Sequence, residues 1–334
     1  MSEYIHGVAA LEAALGETPA AMHLKVIDHL DAGALRWIAE SPFAFLGFGG
    51  DGGVTTTLAG GDAGFASGDA AVLRIPTEMI DDPALARVGA PFGALFVLPG
   101  VGETLRVNGR IAAVGDALSV TVEECYGHCA KALIRSDFWI AQPGVAPEEP
   151  ARFVTAARLI GLATLGNQGH ADLSPKGDPA GAMVQLDGDV AWFADRPGNR
   201  RIDSFRNIVV QPRIAMAMLV PGATVAGILR GSARLTTDMA ARERFTVQGK
   251  VPQVAIRVDV DALDIAPSLA LGRARLWPLT GTSEIRPAKL FVEHIKLNKT
   301  GGVAASLARA SLMVPGATGL VQQGLDKDYR ENLY

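Results

Sequence analysis

Between residues 41 and 140 the chain alternates short apolar, β-type runs with glycine clusters: FAFLGF, VTTTL, AAVLRI, GALFVL, TLRVNG and LSVTVEE. Runs of this length, rich in Val, Thr and Phe and bounded by Gly, predict strands. The same texture returns later as LIGLATL, AMVQL, VAWFA, IAMAMLV, VAGILRGSARL and QVAIRVDV. Residues 1–40 differ. Ala, Leu and Glu dominate, and Leu24, Ile27, Leu30 and Leu35 fall on one face at helical spacing, so a helical segment is predicted there. Within the second series one helix is predicted to start near Asn199, a plausible N-cap, with Ile202, Phe205 and Val209 as its apolar stripe.

The two strand series are one series written twice. Gly53 lies on Gly169, Gly61 on Gly177 and Asp62 on Asp178, a constant offset of 116 that puts Leu58 and Gly60 opposite Ser174 and Lys176. Further on FVLPG (96–100) lies on MLVPG (218–222), offset 122, and Arg135 and Trp139 lie on Arg273 and Trp277, offset 138. Offsets that grow along the chain indicate a duplicated domain whose loops changed length, and such copies pack about a pseudo-twofold axis as a homodimer would. The expected organisation is an N-terminal helical segment (1–40), a first domain (41–140), a Pro/Glu-rich linker (141–151), a second domain (152–278) and a C-terminal extension (279–334). Many short strands in each copy suggest a small barrel or sandwich. The extension has no counterpart earlier in the chain; VAASLARASLM (303–313) predicts a helix, and a flap over the site and a packing arm are equally compatible with it.

Composition narrows the classes. Of 334 residues 49% are hydrophobic, and the net charge of −4 carries no nucleic-acid footprint. No basic segment followed by an apolar stretch opens the chain, and the longest uncharged apolar run, 214–229, is too short to span a bilayer, so a cytoplasmic protein with no membrane partner is expected. Two cysteines four residues apart, Cys125 and Cys129, suggest neither a disulfide framework nor a zinc site, and no metal is assigned.

The copies disagree where charge is carried. Residues 195–208 hold Arg196, Arg200, Arg201 and Arg206 against Asp195 and Asp203, net +2, while the matching 76–89 hold Arg87 against Glu78, Asp81 and Asp82, net −2. A strand, a Gly/Pro turn and adjacent arginines at a helix start suit a phosphate, because free N–H groups and guanidinium forks both match its oxygens. Ser174 and Lys176 form a second polar cluster that the fold could bring alongside. A solvated arginine face is the commoner fate of such residues, but the acidic sister window weighs against it.

These residues resemble the pyridoxamine 5′-phosphate oxidase-like family of FMN-binding split β-barrels. The second copy carries SPKGDPAG (174–181), ADRPGNRRIDSFRN (194–207) and QPR (211–213); the first carries LPGVGETLRVNG (98–109) and HCAKALIRSDFW (128–139). The resemblance implies a mainly β, α+β fold with peripheral helices: two split barrels forming an intramolecular pseudo-dimer. It also implies one composite FMN site at their interface, with the opposite site lost, since Ala266, Pro267 and Leu269 stand where the first copy has His128, Cys129 and Lys131. Carried over by position, Asn199, Arg200 and Arg201 would hold the phosphate, with Ser174, Lys176 and Arg196 near the ribityl chain, phosphate or ring edge. Lys131, Arg135 and Trp139 would close the ring side. Arg135 and Trp139 survive in both copies, so part of their role is expected to be structural. His128 and Lys131 are the candidate catalytic residues. An extended segment would point His128 and Cys129 to opposite faces, so one ligand could not meet both. The implied activity is an FMN-dependent oxidoreductase, oxidase or reductase, acting on a small anionic or aromatic molecule with Lys131 or Arg135 as counter-ion, and with NADH or NADPH as reductant. The alternative is a non-catalytic flavin or haem binder, for which His128 or His294 would be the axial ligand. The expected state is a monomer with an internal pseudo-dimer, or a higher homo-oligomer.

Overall fold

The computed structural model describes residues 4–19, 22–141, 149–166, 169–198 and 201–334. The first half forms β1 (Phe43–Gly50), β2 (Gly53–Gly60), β3 (Ser67–Gly68), β4 (Val72–Pro76), β5 (Pro91–Val97), β6 (Thr104–Val114) and β7 (Ala117–His128). The second forms β8 (Leu159–Leu165), β9 (Ala171–Gly177), β10 (Gln185–Asp187), β11 (Val190–Ala194), β12 (Arg213–Leu219), β13 (Val225–Thr236) and β14 (Ala255–Pro267). Each set closes into a seven-stranded antiparallel sheet, ordered β2-β1-β5-β6-β7-β4-β3 and β10-β11-β14-β13-β12-β8-β9. The strand orders are equivalent, and both sheets bulge at matching positions, Asn108/Gly109 and Arg230/Gly231.

Among the described residues ten helices decorate the sheets: α1 (Val8–Leu15), α2 (Ala32–Glu40), α3 (Lys131–Arg135), α4 (Pro150–Ala156), α5 (Asp203–Val210), α6 (Met239–Glu243), α7 (Leu269–Ala274), α8 (Pro287–Leu297), α9 (Val303–Leu312) and α10 (Ala317–Glu331). None of the described helices is long and apolar enough to cross a membrane. The N-terminal segment is not one long helix. Leu24, Ile27 and Leu30 are buried as their spacing requires, but Ile27 makes a β-bridge to Cys125 between α1 and α2. Tertiary pairing overrides helix propensity there.

The apolar positions sort into a core for each half, a third between them, and a small cluster that joins Leu24 to Ile295 and Ala305 of the C-terminal helices. On β1, Ala44, Leu46 and Phe48 enter the first core, while Phe43 and Phe45 enter the shared one with Leu95, Leu159, Ala163, Ala215 and Ala217. A strand buried on both faces reads as a continuous apolar run, which is why FAFLGF shows no alternation. At the seam β9 runs so close to α3 that a Cβ on Gly177 would overlap the Ala132 carbonyl oxygen, and Gly60 on β2 meets the Ala270 carbonyl in the same way. Phe138 lies edge-on to both Trp139 and Trp277, at 4.9 and 5.1 Å between centroids.

Candidate functional site

A cavity of about 510 Å³ opens in the seam. The second half supplies β9 with Ser174 and Lys176, Asp178 just after the strand, and the turn from β11 into α5 with Arg196 and Arg201. The first half supplies His128, Cys129 and Arg135, from the end of β7 and from α3, and Tyr334 enters from beyond α10. The volume falls in the range of roughly 300–1,000 Å³ common to cofactor and ligand sites.

A buried polar network fixes the two walls. Arg106 on β6 is wholly buried; its Nη1 donates to Asp172 Oδ1 at 2.9 Å and its Nη2 to Ser174 Oγ at 2.6 Å, and Nη1 also donates to the Tyr126 hydroxyl. Asn108 Nδ2 donates to the same Asp172 oxygen at 2.9 Å, and Asn207 Nδ2 of α5 to the other at 2.8 Å. One carboxylate of the second half is thus held from both sides of the seam. Charges buried in this way are tolerable only when each is paired.

Lys176 Nζ stands 4.1 Å from the Phe205 ring centre and has no hydrogen bond or ion pair among the described residues. Burial lowers its pKa, and Asp195 opposes that shift. Arg201 is buried at the seam: its Nε donates to Asp203 Oδ2 at 2.6 Å and its guanidinium lies 4.4 Å from the Tyr126 ring centre. Burial works against its charge, but Tyr126 and Asp203 beside it raise its pKa and keep it cationic. Arg196 is committed to Asp178 Oδ2 at 2.6 Å and to the Phe245 carbonyl at 2.8 Å, so it braces the wall. Asp178 Oδ1 is buried without a partner, and burial raises the carboxyl's pKa.

Several expectations need correction. Helix α5 begins at Asp203, with Ile202 at its N-cap in a left-handed conformation at φ 47°, and not near Asn199. Asn199 and Arg200 lie outside the described residues. Lys131, expected as catalyst, ring contact or substrate counter-ion, does not line the cavity; it is buried and paired with Asp328 of α10 at 2.8 Å. Trp139 also lies outside it, donating from Nε1 to the Val101 carbonyl at 2.9 Å, and Trp277 makes the comparable bond to the Phe138 carbonyl at 2.7 Å. Arg135 does line the cavity, but it donates to the carbonyls of Gly177 (3.1 Å), Pro197 (3.0 Å) and Leu333 (2.7 Å). Its counterpart Arg273 reaches across the seam to the Glu78 carbonyl, so both arginines tie the halves together. His128 and Cys129 line the cavity together, because the strand ends at His128 and Cys129 starts the turn into α3. Burial, reinforced by Arg106 and Lys25, lowers the pKa of His128 and keeps it neutral, and its Nε2 has no partner. His294 is buried with Nδ1 3.2 Å from the Lys25 carbonyl and Nε2 3.3 Å from Asp31, leaving no nitrogen for an axial bond.

Strand register also changes the pairing of the copies. Leu46 faces Thr57 in the first hairpin and Leu162 faces Ser174 in the second, so the offset is 116 before the turn and 117 after it. The true counterparts of Ser174 and Lys176 are Thr57 and Ala59. At the pseudo-symmetric position Asp81 accepts from Ser268 Oγ at 2.5 Å and from the Ala270 N–H at 2.8 Å, capping α7. The acidic window of the first copy closes its own seam.

Sequence reasoning missed Arg106, Asn108, Asp172, Asp178, Lys25 and Tyr334. A signal existed for the first two: Arg and Asn inside the strand run TLRVNG are polar residues in a segment that reads as core. Tyr334 gave none. Its ring lies 5.8 Å from the Arg135 guanidinium and 5.4 Å from that of Arg196.

Two antiparallel seven-stranded sheets of one topology, packed face to face around a polar cavity, define a double split barrel. Residues 146–269, in the second half of the chain, match the family model described as pyridoxamine 5′-phosphate oxidase, and the fold is that of a pyridoxamine 5′-phosphate oxidase-like split barrel. Similar solved structures include HupZ of Group A Streptococcus (18% identity, TM-score 0.31, 37% of this chain and 96% of that one). An F420 reductase (20%, 0.28, 35% and 98%) and a general stress FMN/FAD binding protein from Xanthomonas citri (22%, 0.26, 36% and 88%) are also similar. No curated protein matches the chain.

Proposed function

We propose that the protein is an FMN-dependent oxidoreductase for a small molecule, with one FMN per chain in the seam cavity. The observation that carries this reading is the cavity's donor set: an unpaired Lys176 ammonium, the cationic Arg201 beside the start of α5, and an orphaned Asp178 oxygen. Cation and helix N-terminus suit a phosphate, and a lone buried acceptor suits a sugar-alcohol hydroxyl. The residues therefore fit a ribityl phosphate. Bound FMN would supply hydride and single-electron chemistry.

In this reading Lys176, Arg201 and the first N–H groups of α5 hold the phosphate, with Asn199 and Arg200 adjoining in sequence. Arg135, Arg196 and Tyr334 form a wall that keeps water from the opposite end. His128, neutral and unpartnered at Nε2, can hold or release a proton there. The pseudo-symmetric seam, closed by Asp81, takes no second cofactor. The test is the flavin absorbance of the purified protein against its chain concentration: one FMN per chain supports the reading, and none or two removes it. Anaerobic bleaching by NADH or NADPH then separates an enzyme from a passive holder.

A further inference from the structure

A second cavity, of about 300 Å³, lies behind the first and shares His128, Cys129 and Gly198 with it. Apart from the end of β7 and the loops it shares with the sheets, it is built from the segment between α1 and α2, α2 itself, and helices α8 and α10 of the C-terminal extension. Its walls are mostly apolar and ring-bearing, with Met22, Trp37, Leu290, Phe291, Leu325 and Tyr329.

Polar atoms in this apolar wall are unevenly satisfied. Lys25 is 3% exposed, donates one N–H to the Gly127 carbonyl at 2.7 Å, and forms no ion pair among the described residues. Trp37 is fully buried and its Nε1 donates to nothing; His128 Nε2 is likewise without a partner. The acidic groups at the wall are already engaged, Asp328 by Lys131 and Glu103 by the Tyr329 hydroxyl at 3.0 Å. Burial raises the Glu103 pKa and lowers that of Lys25 to about 8. The Lys25 ammonium has one carbonyl partner and lies 5.4 Å from the Tyr126 ring centre, and the buried indole N–H of Trp37 in the same cavity lining is unused; buried donors of this kind are costly unless something supplies acceptors.

We propose that this second cavity is the substrate pocket, and that it takes a small aromatic carboxylate whose oxygens are held by Lys25 Nζ and Trp37 Nε1 with its ring among the apolar walls. The assignment rests on the flavin reading for the word substrate, because the shared wall of His128 and Cys129 is where such a molecule would meet the cofactor. The binding claim stands on the pocket alone. Flat rings pack well against Trp, Phe and Tyr, and a single anionic group matches the single unpaired cation.

The experiment is calorimetric titration of the full-length protein, carrying whatever flavin it purifies with, with benzoate, phenylacetate and indole-3-acetate, and with benzyl alcohol as the neutral comparison. At least one carboxylate should bind, and more tightly than benzyl alcohol. Lys25→Met should weaken that binding ten-fold or more while the flavin content stays at the wild-type value. Leu290→Trp, which fills the pocket from α8, should abolish binding and provides a second variant if the first misfolds. Binding of none of the three carboxylates, or equal binding by wild type and Lys25→Met, overturns the pocket. A protein that lacks flavin yet binds a carboxylate through Lys25 keeps the pocket and removes the oxidoreductase reading.

Discussion

Replacing Lys25 with Met should make the protein more stable near neutral pH, and the gain should shrink as pH rises. Burial lowers the Lys25 pKa from its ordinary 10.5 to about 8. At about 1.4 kcal/mol per pKa unit, keeping the ammonium charged inside the fold costs about 3 kcal/mol at pH values below 8. The variant also leaves the Gly127 carbonyl without its donor, a loss of about 1–2 kcal/mol, so the net gain should be about 1–2 kcal/mol near pH 6.5. The sign follows from proton counting. Between pH 8 and 10.5 the folded chain has released the Lys25 proton while the unfolded chain keeps it, so wild-type stability rises through that window. By about pH 9.5 the charge penalty has fallen by roughly 2 kcal/mol, enough to erase the variant's advantage. Urea denaturation of both proteins near pH 6.5 and pH 9.5 reads the difference directly, since other titrating groups cancel. A variant less stable than wild type at the lower pH, or an advantage that does not move between the two, would show that Lys25 is not a buried cation held at a cost.

Lys176→Ala should weaken FMN binding by roughly 10–100-fold, the worth of one charge-assisted contact, whereas the mirrored Thr57→Ala should leave it unchanged; fluorescence titration of the apoprotein with FMN compares them. Arg106→Met should cost about 3–5 kcal/mol in a denaturation experiment, because Asp172 stays buried without its partner, and Arg106→Lys should not restore the loss, since an ammonium cannot span Asp172 and Ser174 as a planar fork does. Tyr334→Ala should speed flavin release by roughly 5–30-fold in stopped-flow dilution, from the loss of two cation–ring contacts worth about 0.5–1 kcal/mol each. An unchanged rate would mean that the Tyr334 ring does not cover the bound cofactor.

Much of the architecture was legible because strands and glycine turns are local signals. FAFLGF, VTTTL and their repeats mark β1, β2, β8 and β9 without knowledge of the rest of the chain. The one-residue slip between Ser174 and its counterpart was not legible. A glycine-rich turn accepts an insertion with little penalty, and only the ladder pairing of Leu162 with Ser174 reveals where it fell. The arginine window pointed to the seam, yet Arg196 within it, like Arg135 of α3, is bonded to protein groups. Whether a guanidinium is free or spent depends on carbonyls such as those of Phe245, Gly177 and Leu333, which no motif encodes. Lys25 and Tyr334 were invisible for a related reason. Their burial is set by elements hundreds of residues away in the chain, and an isolated lysine or tyrosine near a terminus carries no periodicity.

Joining both barrels in one polypeptide has a consequence for how the cavity responds to scarcity. In a family member assembled from two separate chains, dilution splits the pair and dismantles any pocket at its junction. Here the mate is permanently tethered, so its local concentration does not depend on how much protein a cell makes. The affinity of the cavity for a cofactor should therefore be the same at nanomolar and micromolar protein. One wall of the junction could also drift in sequence, as the Asp81 side has, without damaging a second identical wall that two-chain symmetry would have forced to change with it.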